Sequence, residues 1–405
     1  MYHVQEIMPQ IFWVGENDWK LERFENIHPL PNGITYNSYL VLDTNTLLFD
    51  TVYGFANDQF IENITFLLNG RTLDYLIINH MEPDHSMRIE EIVRLYPEVK
   101  VVGNARTFQY YEQFYPLDIS ANYLEVSEGE ELSTGQYNFR FIMAPMVHWP
   151  EVMFTYETSQ GILFSADAFG SFGVITGNLF YDQAEYIPDE TRRYYANIIG
   201  RFGMPVQSVL TKLSGLTVQM ICPLHGLIWR SENVGYILSL YDLWSRYEPE
   251  DTGIVIVFAS MYGNTQLAAE LLANKLSLLG VLNIRMYDVS KTHSSFIISD
   301  LWRFSHAVFA APTYNMHLFP LMDYLLRDLT MLGFKNRKIA LIGNHTWLDA
   351  SINAMETLLN AGVNYMVISN PILIKSSLKP EQEGELNAMA TAIFHSMTEA
   401  SDVES

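Results

Sequence analysis

Six residues, His80-Met81-Glu82-Pro83-Asp84-His85, hold four side chains able to bind a metal. They follow the apolar run Tyr75-Leu76-Ile77-Ile78 and precede a polar, helix-like segment from Ser86 to Tyr96. Alternation could put His80, Glu82 and Asp84 on one face of a strand. Pro83 argues against a central strand, so a tight loop turning all four towards one point is expected. Three further segments repeat the design. Phe139–Pro145 runs into His148, Gly161–Ala166 into Asp167, and Gln219–Leu224 into His225-Gly226. A lone histidine after a strand is more often a hydrogen-bonded structural residue, and a single polar stretch is as readily an exposed turn. Four apolar runs, each followed only by His, Asp or Glu, are harder to assign to chance. Seven ligands exceed what one tetrahedral ion uses, so two ions are implied with one carboxylate between them. Asp167, the single carboxylate from a separate strand, is the candidate bridge. Nitrogen and carboxylate donors suit zinc, iron or manganese rather than an iron–sulfur cluster.

The elements that must position these residues are β-rich. Ile34–Leu42 alternates as a strand, Asp43-Thr44-Asn45 turns, and Thr46–Asp50 returns as its hairpin mate. Phe60–Leu68 has helical spacing and ends at Asn69-Gly70. Val99–Gly103 reads as another buried strand. Strand ends on one edge converge, which is where an α/β architecture builds its site.

A second pattern begins after the charged, proline-containing Tyr247–Asp251. Gly253–Ala259 is a continuous apolar strand of the buried parallel kind. Ser260-Met261-Tyr262-Gly263-Asn264-Thr265 follows directly and opens a helix. Its expected apolar side is Leu267, Leu271, Leu272, Leu276 and Leu279, and Gly280 is its stop. A strand, a Ser/Gly/Asn/Thr loop and a helix N-terminus make an anion site. Asn283–Tyr287, then Ala307–Ala311 leading into Pro312-Thr313-Tyr314-Asn315, then Ile339–Ile342 leading into Gly343-Asn344-His345-Thr346-Trp347, continue the alternation. Helical segments near 319–331 and 350–361 separate the last ones. The order predicts a five-stranded doubly wound sheet with ligand loops after its first, third and fourth strands. His293, His306 and His317 read as surface or packing residues; Glu381–Glu385 and the tail Glu399–Ser405 read as solvated.

The chain of 405 residues is long enough for two or three domains, and 49% of it is hydrophobic. No run approaches the roughly 20 apolar residues of a membrane span. With 46 acidic against 24 basic residues, net charge −22, nucleic acid is not an expected partner. One cysteine, Cys222, rules out an internal disulfide framework, and the start lacks the parts of a signal peptide, so a cytoplasmic protein is expected.

The metal stretch resembles the metallo-β-lactamase signature His-x-His-x-Asp-His, with Glu82 in place of the second histidine. That extra oxygen donor shifts preference from zinc towards iron. His-x-Glu-x-Asp-His is the pattern of the flavodiiron proteins, and Ile34–Asn37, Val147–Pro150, Asp167–Gly173 and His225–Trp229 are similar to that family too. The resemblance implies an α/β chain. Its residues 1–250 would be a metallo-β-lactamase-like αββα sandwich carrying two irons, and 252–398 a flavodoxin-like doubly wound parallel sheet carrying FMN. One iron would be held by His80, Glu82, His148 and Asp167, the other by Asp84, His85, Asp167 and His225. Ser260–Thr265 would be the flavin phosphate loop, and Tyr314 and Trp347 would flank the flavin ring. Family members often show Gly-Ser-Tyr-Gly-Trp in the last loop, where this chain has Thr346 instead of the second glycine. The implied activity is reduction of dioxygen or nitric oxide, with Tyr194 or Tyr195 beside the irons protonating a bound intermediate; Tyr195 is the residue singled out. The family's dimers are head-to-tail, so a homodimer or homotetramer is expected. The chain has no Cys-x-x-Cys pair, so the expected donor is separate, rubredoxin or a reduced deazaflavin. The rival reading is a binuclear zinc hydrolase, against which Glu82 and the flavodoxin-like half both count.

Overall fold

The computed structural model describes residues 2–54, 58–184, 188–362 and 365–401. Two compact units emerge: Met1–Tyr195 with Met204–Asp242, and Ala196–Gly203 with Leu243–Ser405. The division falls before Tyr247–Asp251 because Tyr247 is tied into the second unit. Its hydroxyl donates to Gly200 O (2.9 Å), and its carbonyl accepts from Arg337 Nη1 (2.5 Å).

In the first unit, β1 (Glu16–Asp18) pairs with β2 (Ile34–Tyr36) as a separate two-stranded ribbon. The strand expected over Ile34–Leu42 is therefore two, β2 and β3 (Tyr39–Leu42), broken at Asn37-Ser38. The break has a physical cause. Both residues are buried, and their side chains bond across the chain instead of along a ladder. Ser38 Oγ donates to Phe49 O (2.9 Å), and Asn37 Nδ2 donates to Pro223 O and Gly226 O (2.8 Å each). Strand β3 makes the expected hairpin with β4 (Thr46–Phe49). β4, β5 (Tyr75–Ile77) and β6 (Lys100–Gly103) then run parallel within a seven-stranded sheet.

A six-stranded sheet faces it, containing β7 (Asn138–Met143), β8 (Met153–Glu157), β9 (Ile162–Phe164) and β10 (Met220–Cys222). β7 and β9 are each antiparallel to β8, and β9 is parallel to β10, so β7, β9 and β10 end on the same side. Inner faces meet in one core: Trp13, Val41, Phe49 and Ile77 on one side, Phe139, Phe141, Phe164 and Met220 on the other. Phe49 and Phe164 stack at 3.8 Å. Strand ends from two sheets, rather than from one edge, thus supply the site.

The second unit is the doubly wound sheet. β11 (Asp251–Phe258) lies between β12 (Ile284–Asp288) and β13 (Phe304–Tyr314), and β14 (Arg337–His345) follows, all parallel. The fifth position is shared by two short strands along β14, β15 (Tyr365–Val367) and β16 (Ile372–Lys375). This is the flavodoxin-like order 2-1-3-4-5. The helix after β11, Asn264–Leu278, turns a different face inward than expected: Thr265, Ala268, Ala269, Leu272 and Leu276 are buried, whereas Leu267 and Leu279 are exposed. Small alanines let the helix lie close to the sheet, which outweighs leucine size. Glu381–Glu385, read as solvated, opens the C-terminal helix Glu383–Ser401. Leu386, Met389, Ala390, Ile393 and Met397 recur at helical spacing and are buried against the sheet. Residues 402–405 lie outside the described residues. No helix among the described residues is long and apolar enough to cross a membrane.

Candidate functional site

The expected tight loop at His80–His85 is instead a bend entering one helical turn, Pro83–Ser86, with Glu82 at its N-cap. Proline at the first helical position has its φ preset and no N–H to lose. Asp50 Oδ1 accepts from the backbone N–H of Asn79 (2.8 Å) and His80 (3.1 Å), directing the chain as it leaves β5. Thr51 Oγ1 donates to His85 O (2.8 Å), and Ser86 Oγ to Met81 O (2.9 Å). His148, Asp167 and His225 arrive from the loops after β7, β9 and β10. Asn37 brackets His225 through its bonds to Pro223 and Gly226. Gly226 has φ +73°, and a Cβ there would lie 2.0 Å from Ser171 Oγ, so only glycine fits.

All seven side chains converge, and none of the seven residues is more than 9% exposed. Ligand atoms of His80, Glu82, His148 and Asp167 lie within 4.8 Å of one another, as do those of Asp84, His85 and His225. Glu82 Oε2 is 3.3 Å from His80 Nε2 and 3.1 Å from His148 Nε2. Asp84 Oδ2 is 3.2 Å from His85 Nε2 and 3.3 Å from His225 Nε2. Asp167 faces both groups. Its Oδ2 lies 3.1 Å from His148 Nε2 and 3.5 Å from His80 Nε2, its Oδ1 3.2 Å from His85 Nε2 and 3.7 Å from His225 Nε2.

These residues fit a pair of cations. Both oxygens of Asp84 and Oδ1 of Asp167 are buried without a hydrogen-bond donor. His85 Nε2 and His225 Nε2 face each other at 3.0 Å. Such atoms surround points instead of pairing, which is costly unless a cation collects them. The remaining ring nitrogens are set for the task. Nδ1 of His80 meets Glu151 Oε1 at 2.8 Å, and Nδ1 of His225 meets Thr35 O at 2.8 Å, leaving each Nε2 lone pair for a metal. Sequence reasoning missed Glu151 and the Thr35 carbonyl. The signal for Glu151 was a carboxylate three residues after His148. It also missed Glu25 at the rim, where partial loss of solvation and the negative charge of Glu82 push the carboxyl up to about 7.

Burial opposes charge on the histidines, but the carboxylates prevail. Asp84 and Asp167 raise His85 to about 10, and Asp167 and Glu82 raise His148 to about 9. His80 is also raised well above its ordinary value despite its burial, by Asp167, Glu151 and Glu82. Burial likewise opposes ionisation of Asp84 and Asp167, yet the histidines hold both well below the usual carboxylate range. The cluster without metal therefore carries protons that an incoming cation must displace.

Successive helical residues point about 100° apart, so Tyr194 and Tyr195 have different surroundings. Tyr194 lies beside the cluster: its ring is 5.5 Å from that of His225 and 5.0 Å from that of Phe172, and its buried hydroxyl has no hydrogen-bond partner. Tyr195, the residue singled out from sequence, packs edge-on against Tyr241 at 4.8 Å where the chain widens into a π turn.

In the second unit, the loops after β11, β13 and β14 line one open cleft. All the expected loop residues line it except Gly263, Tyr314 and Gly343, and Leu348 and Ser376 join them. Gly263 (φ +89°) turns the chain so that its N–H meets Ser260 Oγ at 3.0 Å. A Cβ on Gly343 would come within 2.7 Å of Ile352 and Ser351, so glycine there admits the following helix. Asn344 Nδ2 donates to Thr265 Oγ1 (3.3 Å), joining the last loop to the first. Thr346 is not among the residues of positive φ, so this path needs no second glycine. Trp347 is 84% exposed on the cleft wall, whereas Tyr314 turns edge-on to Phe319. Hydroxyls, a helix N-terminus and the unpartnered Nδ1 of His345 suit a phosphorylated aromatic cofactor.

Residues 34–226 match the family described as ODP family beta lactamase. The chain is 32% identical to a nitric oxide reductase of Moorella thermoacetica over 87% of this chain and 88% of the relative. Among solved structures it resembles the rubredoxin oxygen:oxidoreductase of the anaerobe Desulfovibrio gigas, with a TM-score of 0.90 and 25% identity over 98% of this chain and 99% of that one. It also resembles the flavodiiron protein of Giardia intestinalis, with a TM-score of 0.91 and 24% identity over the same shares of the two chains.

Proposed function

The chain belongs to the flavodiiron protein family and is an oxidoreductase, and we propose that it reduces nitric oxide to nitrous oxide, dioxygen to water, or both. Its cofactors are FMN and two iron ions. His80, Glu82, His148 and Asp167 would hold one iron, and Asp84, His85, Asp167 and His225 the other. The observation that carries this reading is Asp167, whose two oxygens each face a separate donor group. When bound, FMN supplies electron pairs that can leave singly, and the irons supply a site where a diatomic can accept them.

The chain's own residues place and protect this chemistry. Glu151 and Thr35 O orient two of the histidines; Phe172 and Tyr194 wall the cluster beside His225. Tyr194 keeps its proton at neutral pH: burial first, then the negative Asp167, Asp84 and Glu82, hold its hydroxyl well above the ordinary range. It is thus a proton donor beside the centre. Ser260, Asn264, Thr265 and Thr313 would take the flavin phosphate, and Trp347 would cover the ring. We further propose a separate electron donor. Rubredoxin is favoured by the name of the Desulfovibrio gigas relative, with a reduced deazaflavin as the other candidate. A homodimer or homotetramer in the cytoplasm completes the reading.

The test is product analysis on chemically reduced protein. Mixed anaerobically with nitric oxide, it should yield one nitrous oxide per two nitric oxide; mixed with dioxygen, it should consume the gas without releasing peroxide. Consumption of neither gas, with hydrolysis of an ester or amide instead, would favour the zinc hydrolase.

A further inference from the structure

Reduction of nitric oxide takes up two electrons and two protons for each nitrous oxide and water formed; dioxygen takes four of each. The protons need a way into a buried centre. Strands β1 and β2 pair antiparallel with Glu16 opposite Tyr36, and directly opposed residues share one face with Cβ atoms about 4.5–5.5 Å apart. The neighbouring pair verifies the register from the other face, where Thr35 Oγ1 donates to Asn17 Oδ1 (2.7 Å). The Tyr36 ring in turn lies 5.6 Å from that of His225 and 6.3 Å from that of His85. Glu16, Tyr36 and the metal donors thus follow one another.

No hydrogen bond accounts for Glu16. It is 3% exposed, and neither carboxylate oxygen has a hydrogen-bond partner. An ionised carboxylate left so is costly. Arg88 is the cation that faces it; Asp18 and Asp58 add negative charge. Burial dominates and pushes Glu16 up to about 7, so it both holds and yields a proton near neutrality. Asp18 is half-buried and Asp58 exposed, which extends the line of acids to solvent.

We propose that Glu16 stores a proton for the reduction and delivers it to the metal centre across the Tyr36 hydroxyl. Glu16 and Tyr36 share no direct hydrogen bond, so a water between them relays the step. The Glu16 O–H bond breaks as the water takes that proton and gives one of its own to the Tyr36 oxygen, whose hydroxyl proton passes inward to the gas being reduced. The carboxylate left behind is reprotonated from solvent past Asp18 and Asp58. Tyr36 never ionises, because burial and the neighbouring acids, Asp84 first, hold its hydroxyl well above the ordinary range. The delivery step rests on the oxidoreductase reading above; the stored proton does not.

Two readouts on the full-length holoprotein test this. Glu25 and Asp50 are raised to about 7 as well, so the infrared readout is the difference between wild type and the isosteric Glu16→Gln, which should show a buried protonated-carboxyl band of wild type lost near pH 7. In steady-state turnover, Glu16→Gln should lower kcat by about tenfold or more. KM for the gas and the rate of flavin reduction by the donor should stay unchanged, and Glu16→Asp should restore part of the rate. Tyr36→Phe should lose turnover while keeping the band. Absence of the band from that difference overturns the store. A band with kcat and pH profile unchanged in Glu16→Gln overturns the delivery. A wild type that reduces neither gas overturns the function and the delivery together, while the band still reports the stored proton.

Discussion

Glu151→Gln is the sharpest probe of how the metal donors are held. Glu151 Oε1 accepts from His80 Nδ1 at 2.8 Å and from Met81 N at 2.9 Å, and both side chains are fully buried. Glutamine keeps the shape, and its amide oxygen can take both bonds, but the charge that strengthens them is gone. Its NH2 then falls where Glu151 Oε2 has no partner. A charge-assisted bond contributes about 1.5–3 kcal/mol against about 1 for a neutral one, so a loss of about 1–2 kcal/mol is expected. That is roughly fivefold to thirtyfold in metal affinity, at the lower end of what outer partners of metal-bound histidines contribute. Anaerobic competition against a chromophoric chelator measures it. The loss should be one-sided, because Glu151 touches only the group of His80, Glu82, His148 and Asp167. A chelator concentration that leaves wild type with both irons should leave the variant with the one near Asp84, His85 and His225. Unchanged affinity, or equal weakening of both sites, would refute the reasoning.

Metal affinity should rise with pH, because His148 and His85 are protonated below about 9 and 10 when no metal is bound. Chelator competition between pH 6 and 8 should show about a tenfold gain per pH unit for each proton displaced. Glu16 should make stability fall with pH. Its carboxyl is raised from 4.5 to about 7, so the folded chain binds the extra proton between those values and loses stability as pH climbs through them. At about 1.4 kcal/mol per pH unit, Glu16→Gln should match wild type near pH 4.5 and exceed it by about 3 kcal/mol above pH 7 in denaturant melts. Arg337 is fully buried, and its guanidinium donates to the carbonyls of Tyr247, Leu301 and Trp302. Arg337→Met should strand those acceptors and destabilise the second unit by on the order of 3 kcal/mol, read from flavin release on heating.

What was legible in the sequence was what chemistry makes conspicuous. His, Asp and Glu directly after apolar runs stand out because solvated residues are not expected there, and the structure brings all seven together. The loop residues after the strands of the second unit were legible for the same reason, since hydroxyls and glycines at a helix start have few other uses. What required the fold was everything set by distant partners. Asn37 breaks a well-alternating strand because its amide bonds Pro223 and Gly226, far along the chain. Tyr194 meets His225 and Tyr195 meets Tyr241, which turns on the phase of one helical turn. Ala268 and Ala269 join Leu272 and Leu276 on the inner face of helix Asn264–Leu278 while Leu267 turns outward, because closeness to the sheet decides. The C-terminal helix was within reach: its apolar spacing from Leu386 to Met397 was regular, but the acids at its start masked it.

Elemental analysis of protein expressed in iron-supplemented medium, reported as iron and zinc per chain, tests the central claim most directly. The arrangement around Asp167 predicts close to two irons per chain and little zinc, with Asp167→Asn losing both. Two zinc ions that persist in that medium, with little iron, would contradict the diiron assignment and return the first unit to the hydrolase reading.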